Sequence, residues 1–202
     1  IQQPEDKTAV NRNLPSVLKK QLTEPRILLL LLAVGLLNES HQTITVFLSQ
    51  LQYAKAGMDH EAMSVAYVLT SLAALAGGFS AVLCTRMGAK RMGTGLFVLG
   101  SMSCLLLSLS FKPLICVTAV IVLRLSFSLL QPLHMELQNR QITGRDRATA
   151  LSVNAVVMES IGIFLNLIYG RIAEKNLSHA MFLGSVLCLL GMIFYRCSCN
   201  SP

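Results

Sequence analysis

ILLLLLAVGLLNESHQTITVFLSQL, Ile27 to Leu51, opens on an unbroken run of aliphatic side chains and carries Asn38-Glu39-Ser40-His41-Gln42 at its centre. A helix rising 1.5 Å per residue crosses the hydrocarbon core of a bilayer in about 20 residues, and this run is longer than that. Two features pull against each other in it. Its length and apolarity belong in lipid, whereas a carboxylate and an imidazole in mid-run are expensive there.

The rest of the chain decides which environment applies. Five further apolar runs follow at Ala62–Leu83, Gly93–Ser110, Pro113–Leu133, Ala148–Tyr169 and Ser178–Tyr195. A single such run could be a buried core helix, but six in succession leave no polar exterior for a soluble globule. Composition agrees, with 53% hydrophobic and 13% charged residues in 202, against about 25% charged in ordinary soluble domains. Lipid admits only helices or closed barrels, and the runs are too long and too apolar on every face for barrel strands. The expected fold class is therefore all-α, a polytopic membrane protein built as a six-transmembrane-helix bundle. The organisation expected is a cytoplasmic linker over 1–25, a transmembrane domain over 26–196 and a cytoplasmic tail over 197–202.

A net charge of +7 would suit nucleic acid if it were clustered with aromatics, but the chain has no Trp and no basic–aromatic interleaving. The cations fall between the apolar runs instead. With the N-terminus inside, the inner segments hold roughly three Lys or Arg for each one outside, which predicts both termini cytoplasmic. Within NLPSVLKKQLTEP, Asn13 to Pro25, Leu14, Val17, Leu18 and Leu22 fall near one face and Lys19 and Lys20 turn away. The segment reads either as a short amphipathic helix on the inner membrane surface or as a plain linker. A signal peptide followed by a soluble secreted domain does not fit, because further apolar runs follow the first.

Of the six cysteines, Cys104, Cys116 and Cys188 lie inside apolar runs and read as small hydrophobes. Cys197 and Cys199 lack the His or Cys partners of a metal site, so no metal and no cofactor is expected. There is no HExxH motif, no phosphate-binding glycine loop and no nucleophile elbow around Gly184-Ser185. An enzyme is not expected.

The chemistry expected comes from charge at membrane depth. Glu39 and His41 in the first run, Arg124 in the fourth and Glu159 in the fifth each lie on the order of 15–20 Å into a helix, beyond the reach of snorkelling. They should face the bundle interior or an aqueous cavity, as binding groups for a solute or proton or as an ion pair of Arg124 with Glu39 or Glu159 that fixes packing. Glu39 and His41 are two residues apart, about 200° around a helix, and so cannot share a face. His41 reads as a polar contact between helices.

Two stretches then bring a known pattern into view. AVLCTRMGAKRM, Ala81 to Met92, lies between the second and third runs, and NRQITGRDRATALSVNAVV, Asn139 to Val157, is followed by YGRIAEKN. The chain resembles one half of a major facilitator superfamily (MFS) transporter. Arg86 and Gly88 match the family's inner-loop signature, and Lys90 and Arg91 occupy its basic end. Thr85 stands where the family usually has Asp, and Ala81 where it has Gly. The second stretch is similar to the loop and helix joining the tenth and eleventh spans, so the resemblance implies the C-terminal half, helices seven to twelve. It further implies secondary active transport of a small organic solute or drug-like compound by alternating access, with protons as a candidate coupling ion and the plasma membrane as the location. The partners implied are the lipid bilayer and the missing N-terminal six-helix half or a second copy, without nucleic acid. A non-transporting receptor or assembly subunit that keeps the fold is the alternative.

Overall fold

The computed structural model describes residues 23–142 and 147–200. Among the described residues the regular structure is helical throughout, with no strand. Six helices are long and apolar enough to cross a membrane: α1 Pro25–Lys55, α2 His60–Met87, α3 Ala89–Leu109, α4 Pro113–Gln141, α5 Arg147–Lys175 and α6 Leu177–Asn200. Each expected run is a helix, and most extend past the apolar stretch at one or both ends. Polar residues there continue the backbone hydrogen-bond pattern beyond the hydrocarbon; α6 runs through Cys197 and Cys199 to Asn200. The amphipathic segment expected over Asn13–Pro25 lies outside the described residues except at its end, where Pro25 sits in the first turn of α1. Proline suits that position because its missing N–H has no partner in a first turn anyway. Pro113 starts α4 in the same way, and Asp59 caps α2 by accepting from the Ala62 amide at 2.8 Å.

Two helices depart from α geometry within the membrane. Thr43–Leu48 of α1 is a π-helical turn, and Ala74–Phe79 of α2 is a 3₁₀ segment. In the second case the backbone tightens where α2 meets α4. Just beyond it, the Ser80 hydroxyl donates to the Leu129 carbonyl at 2.8 Å, a contact that a large side chain would prevent.

The helices are buried unequally. The most apolar window of α1 is 72% buried, against 11% for α2 and 17% for α5. Helix α1 is thus the centre of the bundle, packed on α6, α5 and α4, and α3 packs on α6 and α4. Lipid supplies no hydrophobic force between helices, so close packing and cross-helix hydrogen bonds hold such a bundle. The Ser101 and Ser185 hydroxyls meet at 2.9 Å between α3 and α6. Gln52 Nε2 donates to the Leu107 and Ser110 carbonyls, joining α1 to the end of α3. Ser198 donates to the Arg26 carbonyl at 2.8 Å and closes α6 onto the start of α1. Cys104, Cys116 and Cys188 are buried, as small hydrophobes should be.

Candidate functional site

Glu39 stands 14 residues into α1, about 21 Å along it, and is 4% exposed. Its carboxylate faces α5. Asn38 Nδ2 donates to Oε1 at 3.0 Å and Asn166 Nδ2 donates to Oε2 at 3.2 Å. The Thr43 hydroxyl donates to Asn166 Oδ1 at 2.7 Å, which fixes the amide with its NH₂ toward the carboxylate. Room for the carboxyl group comes from Gly162, where a Cβ would stand 2.7 Å from Glu39 Cδ. Gly162 and Asn166 lie four apart on one face of α5, and Tyr169, further along that face, donates to Ser40 at 3.1 Å. Helix α5 thus presents α1 with a bare backbone, an amide and a phenol in register.

His41 points the other way. It is 3% exposed, faces α4, and stacks on Phe127 with ring centroids 4.4 Å apart and planes 11° from parallel. Arg124 Nη1 lies 3.1 Å from His41 Nε2. A guanidinium only donates, so Nε2 accepts, the ring carries its proton on Nδ1, and the imidazole is neutral. Nδ1 is buried and has no partner among the described residues.

The expected ion pair of Arg124 with Glu39 or Glu159 is therefore not formed. Among the described residues the one ion pair is Arg140–Glu136, exposed near the end of α4. The cause is angular. Glu39 and His41 project to opposite sides of α1, so α1 itself stands between the Glu39 carboxylate and the helix that carries Arg124.

Glu159 lies one turn before Gly162 on α5 and is exposed into a cleft of about 260 Å³ between α1, α4 and α5. Asn38 lines the cleft from α1, and Phe127, Gln131, His134 and Gln138 line it from α4. These four fall at i, i+4, i+7 and i+11, one stripe of a helix. His134 and Gln138 are joined at 2.7 Å. An amide nitrogen can only donate, so His134 Nε2 accepts and that ring too is neutral. Phe127 belongs to both places, as a wall of the cleft and as the ring under His41. Glu39 turns to Asn166 of α5 and Glu159 projects from α5 into the cleft, so two carboxylates share this side of α1.

Of the residues expected from sequence, Glu39, His41, Arg124 and Glu159 all come to the region around α1, in two arrangements rather than one. Sequence reasoning passed over Gly162, Asn166, Phe127 and the stripe of Gln131, His134 and Gln138. Polar residues at helical spacing on an otherwise apolar helix were the available signal. Asn154 was passed over too; it is fully buried with neither amide atom partnered among the described residues.

The basic turn lies at the end of α2, which contributes no residue to the cleft. Gly88 has φ 78° and ψ 146°, a backbone region used almost solely by glycine, and this reverses the chain between α2 and α3. Thr85 donates to the Val82 carbonyl of its own helix, while Arg86 and Arg91 are exposed. The Lys90 ammonium donates to Asn200 Oδ1, and Tyr195 donates to the Ala89 carbonyl. The end of α6 is thus fastened across the turn.

The family model of the Major Facilitator Superfamily matches residues 2–167. No curated protein and no solved structure matches the chain.

Proposed function

We propose, from the premise that the chain belongs to the Major Facilitator Superfamily, that it forms the C-terminal six-helix half of a secondary active transporter. As a family member it is a multi-pass membrane transporter; the solute class, the coupling and the setting are our reading. The solute is a small organic or drug-like compound, carried across the plasma membrane by alternating access. Glu39, with Glu159 beside it, serves as the proton-coupling group. Both termini face the cytoplasm, as the Lys and Arg excess favours.

Glu39 carries this reading. A carboxylate at membrane depth without a counter-cation is costly, and its two amide donors can be kept or re-aimed when it takes up a proton. A merely structural acid would gain more from an Arg or from replacement by an apolar residue. Alternating access rocks one six-helix half against another around a midplane site. The little-buried apolar faces of α2 and α5 suit that second half.

The test is Glu39→Gln, which keeps the side-chain shape and removes the titration, in proteoliposomes holding the full transporter. Flux driven by a pH gradient should fall sharply while downhill solute exchange persists. Unchanged flux with unchanged pH dependence overturns proton coupling through Glu39. Absence of any flux, together with a stable complex with another protein, supports the receptor or assembly-subunit reading instead.

A further inference from the structure

We infer that the cleft between α1, α4 and α5 binds an organic cation, an amine or quaternary ammonium on an apolar body, with Glu159 as its counter-charge. This rests on the transporter reading in taking the cleft as a solute site. Three observations carry it. Glu159 is the one formal charge among the residues lining the cleft, because the tautomer imposed by Gln138 leaves His134 neutral. Among the described residues no Lys, Arg or His stands within 4.0 Å of the Glu159 carboxylate. Arg124, the cation on the neighbouring stretch of α4, is engaged with His41 and does not line the cleft.

The remaining surface fits the same ligand class. Phe127 offers an aromatic ring, which attracts a desolvated cation through its quadrupole. Asn38, Gln131 and Gln138 bring side-chain amides whose oxygens can accept N–H groups. An anionic solute would meet repulsion from the Glu159 carboxylate, and a neutral solute would leave it without a counter-charge at membrane depth. A volume of about 260 Å³ limits the ligand to a small body, near the lower end of ligand clefts.

The experiment is a fluorescence titration of the purified full chain with ethidium, with tetraethylammonium and benzoate as competitors. Saturable binding is expected, displaced by tetraethylammonium and not by benzoate. Glu159→Gln should weaken ethidium binding about tenfold or more, in line with loss of a charged, partly desolvated contact. Glu159→Asp should stay within a few-fold of wild type, and Glu136→Gln, the same charge change elsewhere on the protein, should leave binding unchanged. Equal affinity in Glu159→Gln and wild type overturns the inference. So does displacement by benzoate as effective as by tetraethylammonium, or the absence of saturable binding of either cation. If the binding pattern holds while proteoliposomes show no flux, the cation site stands and the transport reading falls.

Discussion

A methyl group added at Gly162 would enter the space of the Glu39 carboxyl, 2.7 Å from Cδ. Either the carboxylate leaves its two amide donors or α5 moves off α1. Gly162→Ala is therefore expected to destabilise the protein by about 1–3 kcal/mol, the usual penalty of overpacking, read as a lowered unfolding temperature in detergent. A wild-type unfolding temperature would mean that the carboxylate does not sit against this backbone. Arg124 and His41 call for a different measurement. A double-mutant cycle of Arg124→Ala with His41→Ala should give a coupling of about 0.5–3 kcal/mol, and the cycle with Glu39→Ala a value near zero. Reversed values would restore the acid–base pairing that the sequence alone suggested. Glu39, His41, Arg124 and Glu159 were visible in the sequence because charge in an apolar run stands out. Their partners were not, since Asn166 is 127 positions from Glu39 and only helix packing brings the two together.

The turn at Gly88 belongs to the scale of the elements. A Cβ there would meet no atom within 4 Å, so the whole cost of Gly88→Ala lies in forcing φ 78° on an L side chain. About 1–3 kcal/mol is expected, whereas Gly78→Ala, in open space with no positive φ, should stabilise by about 0.4–1 kcal/mol. Equal stability of the two variants would show that the α2–α3 reversal does not need this backbone geometry. Helix existence and order were legible from run length, whereas Pro25, at the end of the expected amphipathic segment, instead sits in the first turn of α1. The π-helical turn in α1 and the 3₁₀ segment in α2 were not legible. The first has no composition of its own and the second is marked only by Gly77-Gly78, where a Cβ on Gly77 would stand 2.9 Å from the Ser128 carbonyl oxygen of α4. Pro132 lies inside α4 without ending it, which a propensity argument alone would not grant.

At the scale of the molecule, α1 is packed on α4, α5 and α6, and α2 and α5 are left largely uncovered. The proposed orientation has its own check. A reporter that folds only on the cytoplasmic side, fused after residue 202, should be active. Replacing Arg86, Lys90 and Arg91 together by Gln should lower that activity by weakening the positive-inside bias. An inactive reporter on the unmodified chain would invert the topology. Hydropathy by itself determined that this is a membrane protein with six spanning helices among the described residues, because the cost of an unpaired backbone in lipid leaves a long apolar run almost no alternative to helix. The basic turn and the loop beyond the fourth run were enough to point to the family. Only the tertiary structure decided what the buried charges do. Glu39 turns to Gly162 and Asn166, His41 to Arg124 and Phe127, and Glu159 opens on the cleft. Those choices depend on the rotation of each helix about its axis and on which neighbours it meets, and in a chain apolar on nearly every face the sequence carries little record of either.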